Sequence, residues 1–337
     1  MNRWRCGLLG LADEGRVLLE AIVSHPDVEL VALGDPEHPS LRETAETHRA
    51  QAFEDCRSLL MAAAPQAVFV ALPAYQAADY VRTAAEHGIA VFQLAPWAIH
   101  FEAASGLVHR FERAGGRHVI ARPWQIEPAY DRLRKTPELL GRVYAVEVAV
   151  VGTPSARQGW RADVHRAGGG TLFHDAYAPL DILVTLCGLP ERVYATAAWV
   201  PGPGTPRPYD TEDAMSVVCQ YSQDRCATIT SCRAADELDW SITLHGAAAT
   251  ARISPRSLRI TKLSGERVCE TRVRTRNRYS LAVNTFVTSL ARPTETLLSA
   301  SRDHLPTMAV LQAAYLSAKT GYPESPAKFL ELTGDAT

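Results

Sequence analysis

At 337 residues the chain is long for a single hydrophobic core, and two domains are the natural expectation. Hydrophobic residues make up 47% and charged residues 21%, the balance of a globular protein rather than a disordered chain. A formal charge of −2 gives no general attraction to nucleic acid or anionic membrane, and no apolar run reaches the roughly 18 residues that cross a bilayer.

The N-terminal strand is predicted over 4–9 and runs into Gly10-Leu11-Ala12-Asp13-Glu14-Gly15. A helix is expected over 16–23, and a second strand over 28–33 delivers Asp35. This is the order of a dinucleotide-binding βαβ unit. One glycine makes the tight turn, a small residue admits the pyrophosphate, and a further glycine lets helix and strand pack closely. The helix N-terminus faces the phosphates, and the acid at the end of the second strand holds the adenosine ribose. Gly10, Leu11, Ala12 and Asp35 are therefore the first cofactor-binding candidates. Ala12 stands where the pattern has its middle glycine, which moves the pyrophosphate outward or weakens its binding. A carboxylate at Asp35 favours NAD, because it accepts from a ribose 2′-OH and repels a 2′-phosphate; Arg42 leaves NADP open. An Asp-Pro turn alone also accounts for Asp35.

Asp13 and Glu14 interrupt the only apolar stretch near the N-terminus, so no signal peptide is expected. Alternation of helix and strand continues to residue 121, with helices over 41–48, 56–63, 76–87 and 102–114 and strands over 67–71, 90–94 and 118–121. Short apolar runs separated by helical patterns predict a doubly wound parallel sheet. Past Arg122 the character changes. A helix over 127–134 precedes an alternating strand over 143–151, a polar loop over 152–170 and one helix over 171–187. Strand patterns follow at 192–200, 214–221, 226–232, 240–245, 250–254 and 257–262, interrupted by a proline-rich loop at 201–208. Two helices, over 281–290 and 305–319, close the chain. The expectation is a Rossmann domain over 1–121 and, over 122–337, an α+β domain with a large, mostly antiparallel sheet. Seven scattered cysteines without a C-x-x-C pair argue against a disulfide framework or metal site, and a reducing cytoplasm is the expected setting.

Several further motifs fall in a particular order. Leu72-Pro73 ends a strand, Gly88-Ile89-Ala90-Val91 opens the next, and Gln93-Leu94-Ala95-Pro96 ends it. Gly141-Arg142-Val143 opens the second sheet, Gly168-Gly169-Gly170 precedes the helix carrying Asp181, and Ala318-Lys319-Thr320-Gly321 lies near the C-terminus. With the glycine-rich turn, this order resembles the Gfo/Idh/MocA superfamily of oxidoreductases over nearly the whole chain. The resemblance implies a Rossmann domain with a sheet domain that commonly buries an oligomer interface, here a homodimer or homotetramer. It also implies a small-molecule substrate, with neither nucleic acid nor membrane as partner.

The resemblance also implies departures. The family's E-K-P lysine falls on Ala95, and its T-P-x-x-x-H histidine falls on Ala77. On the long helix, the family's acid and its acid/base histidine fall on His174 and Ala178, while Asp181 agrees. Proton transfer by such groups typically contributes about 10²–10⁴-fold, so replacements are needed for alcohol oxidation. His174 is the leading catalytic candidate, since residues 174, 178 and 181 share one face of a regular helix. Tyr177 is the second, and Asp175 reads as a cap or surface ion. Leu72, Pro73, Pro96 and Trp97 are expected to border the cofactor, Trp97 by stacking or as an apolar lid. His100, Arg122, Trp124, Trp160, Arg161 and Asp181 are the substrate candidates. The loop with Arg157, Gln158, Trp160, Arg161, His165 and Arg166 suits an anionic or polyhydroxylated substrate, or is solvated. Arg272, Arg274, Arg276 and Arg278, every second residue, read as one outward face. The expected function is a divergent NAD(P)-dependent oxidoreductase of a sugar-like or anionic alcohol or ketone, or an imine reductase. The alternative is a catalytically silent dinucleotide-binding sensor, scaffold or partner subunit.

Overall fold

The computed structural model describes residues 3–126, 128–135, 137–200, 208–222, 225–272, 277, 279–292 and 299–335. The chain starts β1 (Trp4–Leu9), α1 (Glu14–Val23), β2 (Val28–Gly34), α2 (Leu41–His48), β3 (Gln51–Phe53) and α3 (Cys56–Ser58), which widens into a π-helical turn at Leu59–Ala63. It continues β4 (Ala67–Val70), α4 (Ala74–Glu86), β5 (Ala90–Gln93), α5 (Phe101–Arg113) and β6 (His118–Ile120). After α6 (Pro128–Lys135) come β7 (Val143–Gly152), α7 (Val164–Ala167), α8 (Thr171–His174) and α9 (Tyr177–Cys187). Then follow β8 (Arg192–Ala198), β9 (Ala214–Tyr221), β10 (Arg225–Arg233), β11 (Asp239–Gly246), β12 (Ala249–Ser254), β13 (Ser257–Lys262) and β14 (Arg267–Arg272). The last helices are α10 (Ser280–Leu290), α11 (Leu305–Thr320) and α12 (Pro326–Thr333).

Two compact units emerge. The first comprises 1–98, 103–123 and 275–304; the second comprises 99–102, 124–274 and 305–337. The first is built on a parallel sheet of order β3-β2-β1-β4-β5-β6, the expected doubly wound arrangement. Its central strands are apolar on both faces: all four residues of β4 and of β5 are buried. Phe69, Phe92 and Phe286 meet with ring centroids 5.5 Å apart, so α10 contributes to this core although it lies some 190 residues beyond β5 (286 − 93 = 193). Asn277 Nδ2 donates to the Val17 carbonyl and the Tyr279 hydroxyl to Glu14, at 2.7 and 2.9 Å.

The second unit holds an eight-stranded sheet of order β14-β13-β12-β11-β7-β10-β9-β8, antiparallel except for the β7–β10 pair. Buried and exposed residues alternate along its strands; in β9, Met215, Val217, Cys219 and Tyr221 face inward. Helices α8, α9 and α11 pack on the inner face. The single helix expected over 171–187 is instead two. Pro179 has no N–H to give the Asp175 carbonyl, and its ring crowds that carbonyl, so the helix stops at His174 and restarts at Tyr177. Proline is tolerated in the new first turn, whose amides need no helical partner. Strands β3 and β14 and helix α12 add to the expected elements. The proline-rich residues 201–207 and Arg274, Arg276 and Arg278 lie outside the described residues, while Arg272 ends β14 and is exposed.

Candidate active site

In the first unit, the turn after β1 is a backbone cradle. Gly10 sits at φ +95°, and a Cβ there would lie 2.7 Å from the Leu72 amide nitrogen. A Cβ on Gly15 would collide with the Gly10 carbonyl, so only glycine lets α1 approach β1 this closely. Asp35 is buried at the end of β2. One carboxylate oxygen accepts from the Leu11 amide at 2.8 Å, and the other accepts from the Glu37 and His38 amides at 3.0 Å. Asp35 thus holds the turn in place, and a carboxylate with three donors retains capacity for one more. Arg42 is drawn into an exposed pair with Glu54 at 2.9 Å. Asp13 has no capping hydrogen bond with α1 and sits at φ 38°, ψ −103°.

Leu72 is buried against this turn, and Pro73 is the N-cap of α4. After β5, Gln93 Nε2 donates to the Trp97 carbonyl at 3.0 Å, while its Oε1 accepts from His118 Nε2 at 3.1 Å. The amide oxygen can only accept, so His118 carries its proton on Nε2. Burial pushes its pKa down to about 3, as the neutral tautomer requires. Trp97 is 0% exposed and meets His118 edge-on. This corrects both roles expected for its indole: a fully buried ring presents no face to stack on and covers nothing. Pro96 and Ala95, joined by a cis peptide bond, are half-buried. Arg122 is buried too, with Nη2 donating to the Asp303 carbonyl at 2.9 Å.

In the second unit, three candidates come together. His174 ends α8, the Trp160 ring meets it edge-on at 5.3 Å, and the Arg161 guanidinium lies 5.1 Å from the Trp160 centroid. His174 Nε2 lies 3.0 Å from the Ala167 carbonyl and must donate to it, which leaves Nδ1 as the lone-pair nitrogen. Desolvation, with smaller contributions from Arg161 and Arg233, lowers its pKa to about 3. Tyr177, at the start of α9, is buried. Because the helix breaks, residues 174, 178 and 181 no longer share a regular face. Asp181 is buried and accepts from the Thr307 hydroxyl at 2.7 Å, tying α9 to α11. Trp124 packs edge-on against Tyr130 at 4.5 Å, and His100 is exposed, 3.2 Å from Glu102. Arg157 is spent on Asp213 at 2.6 Å, and His165 and Arg166 are exposed.

Asp175 is not a surface ion. Its carboxylate presses on Gly152, where any Cβ would displace it, and it is buried beside the Thr171 hydroxyl, which bonds to it. Burial raises its pKa, opposed chiefly by Arg233. The sequence reading also missed Arg233, the last residue of β10 and fully covered, whose Nη1 donates to the Thr211 hydroxyl at 3.2 Å. Its signal was parity: Ala227, Ile229 and Ser231 are buried, so residue 233 shares their face. The triple glycine has a structural reason. Side chains on Gly169 and Gly170 would strike Tyr315 and Glu212, and buried Glu212 accepts from the Gly170 and Leu172 amides at 2.7 and 3.1 Å. Among the described residues, no group of three or more His, Cys, Asp or Glu side chains is disposed to hold a metal ion, and no helix is long and apolar enough to cross a membrane.

Comparison with known proteins adds to this geometry. A family model described as the GFO/IDH/MocA oxidoreductase family, NAD-binding Rossmann fold, matches residues 4–122, and the GFO/IDH/MocA C-terminal domain matches 137–252. The 2,7-anhydro-N-acetylneuraminate hydratase of Mediterraneibacter gnavus is 26% identical over 242 residues, 69% of this chain and 59% of that protein. The chain thus spans less than two thirds of that relative's length. Similar solved structures include the WlbA dehydrogenase of Bordetella pertussis in complex with NADH and UDP-GlcNAcA, at TM-score 0.81 and 22% identity, covering 96% of this chain and 99% of that one. A levoglucosan dehydrogenase in complex with NADH and levoglucosan aligns at TM-score 0.85 and 17% identity, covering 96% and 99%. At these identities the structural likeness establishes the fold.

Proposed function

The chain belongs to the Gfo/Idh/MocA oxidoreductase family, and from that premise we propose that it moves hydride to or from a sugar-like or anionic alcohol or ketone. The observation that carries this reading is the cradle at Gly10 and Gly15, closed by Asp35, which fits a dinucleotide. Bound NAD(H) supplies or accepts the hydride. Gly10, Leu11, Ala12 and Asp35 hold it; Leu72, Pro73 and Pro96 border it, with Trp97 fixing the Pro96 loop from inside. Arg42 is engaged by Glu54, and with Asp35 at the end of β2 this favours NAD over NADP. The names of the similar proteins, a levoglucosan dehydrogenase and an anhydro-neuraminate hydratase, support a sugar-type substrate.

Ala95 and Ala178 stand at the positions that the family resemblance gives to proton-handling groups, and a methyl group moves no proton. We assign that work to His174, whose Nδ1 lone pair accepts from a substrate hydroxyl once bound substrate offsets the burial that lowers its pKa to about 3, with Tyr177 as a second donor. Trp160 and Arg161 frame His174; His100, Arg122, Trp124 and Asp181 have the more distant roles of shaping their loops and helices. Titrating NADH by its fluorescence is expected to saturate. With a substrate from a panel of sugars and sugar acids, His174→Ala is expected to lower turnover about 10²-fold or more, while Ala95→Lys leaves it measurable. Failure of both NADH and NADPH to bind removes the cofactor reading; unchanged turnover in His174→Ala removes His174.

Three alanines at Ala77, Ala95 and Ala178 favour two other readings. Reduction of an imine needs less help from a lysine. A silent sensor or partner subunit needs none, and NADH binding without turnover of any alcohol, ketone or imine would select it.

A further inference from the structure

A group of buried polar atoms on the inner face of the second unit's sheet lacks partners among the described residues. They are Nε and Nη2 of Arg233 and Nε of Arg161, and beside them the Thr171 hydroxyl is engaged by the Asp175 carboxylate. They belong together: α8 packs on β10, Arg161 and Arg233 both act electrostatically on His174 and Asp175, and Thr171 lies beside Asp175. Buried donors are almost always paired, and leaving one unmade costs about 1–3 kcal/mol, more for a charged group. Such a concentration of orphans is the mark of a site built for something else.

The charge balance says what. The Arg233 side chain is 0% exposed, and its one acid within ion-pair range, Asp213, lies 3.9 Å from Nη1. That carboxylate is already taken. Arg157 reaches it at 2.6 Å, the Tyr209 hydroxyl at 2.6 Å and the Val200 amide at 2.7 Å. Burial also disfavours the charged form of Asp175. Arg233 therefore holds a buried, permanently protonated guanidinium whose one carboxylate in ion-pair range among the described residues is shared with Arg157, and Asp175 is a second acid that feels its charge.

The geometry of the open donors is specific. Nη1 is occupied by Thr211, while Nε and Nη2, the two nitrogens along one edge of the guanidinium, are both open. That edge offers two parallel N–H groups, which match the two oxygens of a planar carboxylate. We infer that Arg233 binds a carboxylate of the substrate through this edge, with Arg161 completing the grip beside His174. This rests on the sugar-like substrate proposed above and narrows it to a sugar acid. Arg233 acts as a specificity-determining residue.

The test is equilibrium calorimetry on the full chain without cofactor, using matched pairs: glucuronate against glucose and galacturonate against galactose, with glucose 6-phosphate as a tetrahedral anion. At least one acid is expected to bind tenfold or more tighter than its neutral partner and tighter than the phosphate. Arg233→Lys keeps the charge but loses the two-nitrogen edge, and is expected to abolish that preference while leaving the neutral sugar unchanged. If Arg233→Lys does not fold by circular dichroism, Arg161→Gln is expected to weaken the acid several-fold, and a crystal of the natural chain soaked in it is expected to show the carboxylate on Nε and Nη2. Acids that bind no better than neutral sugars, a preference for the phosphate, or water alone on that edge overturns the proposal. Because NADH titration is a separate measurement, loss of the carboxylate site is distinguishable from loss of the oxidoreductase reading.

Discussion

Asp13 occupies the most strained backbone in the N-terminal turn. At φ 38°, ψ −103° a non-glycine residue costs about 1–3 kcal/mol, and its exposed carboxylate makes no capping bond in return. It stands at the N-terminus of α1, where the helix dipole favours one negative charge and where a second must compete for it. Asp13→Asn, which removes the charge alone, is expected to tighten NADH binding three- to tenfold at low salt, an effect that fades as salt rises. Asp13→Gly is expected to do the same and also to stabilise the fold by about 1 kcal/mol; equal dissociation constants in all three proteins would sink the argument. His118 makes a prediction of a different kind. Its folded pKa, about 3, lies below the ordinary 6.5, so between those values the unfolded chain holds the proton and the folded chain does not. Stability from this residue is complete above pH 6.5 and falls as the pH drops toward 3. Its share of the slope is about 1.4 kcal/mol per pH unit. His118→Gln is expected to flatten the loss of stability between pH 6 and 4, measured by urea unfolding at each pH, and an unchanged slope counts against a neutral, buried imidazole.

Among the elements, the joint between α8 and α11 has a single polar clasp. The Tyr315 hydroxyl donates to Glu212 at 2.8 Å, and the same carboxylate holds the loop that enters α8. Tyr315→Phe takes one of two donors from Glu212 Oε1, which keeps the Leu172 amide, and is expected to cost about 0.5–1.5 kcal/mol in urea unfolding; a cost within experimental error would mean that water replaces the hydroxyl freely. The elements themselves were largely legible. β7 to β13 alternate strictly enough that the sequence pattern places every one, because one face of each is covered and the other is not. The short strand β3 carries too little pattern to see; β14 was visible only as an outward face at Arg272, and α12 was not placed. The break between α8 and α9 was written in Pro179, but apolar spacing across it suggested continuity. At the site, Trp160, Arg161 and His174 were visible as residue types near one another in sequence. Arg233 and Asp175 were not, since their meaning depends on which strand end adjoins which helix.

For the molecule as a whole, the uncovered face of the large sheet is the feature without a partner in one chain. Tyr194 and Val218 are directly paired across β8 and β9 and are exposed large hydrophobic residues on that face. We propose that this face joins copies into a homodimer or homotetramer. Light scattering is expected to give a dimeric or larger mass for the natural chain and a monomeric one for Val218→Lys, whereas a natural chain that is already a monomer dismisses the interface. The return of the chain to its first unit has another implication. Phe286 of α10 closes the aromatic trio with Phe69 and Phe92, and Tyr279 and Asn277 fasten the same segment to α1. Anyone who clones the opening 123 residues as a minimal nucleotide-binding module leaves those rings bare to water, and should expect inclusion bodies unless the distant segment is grafted back.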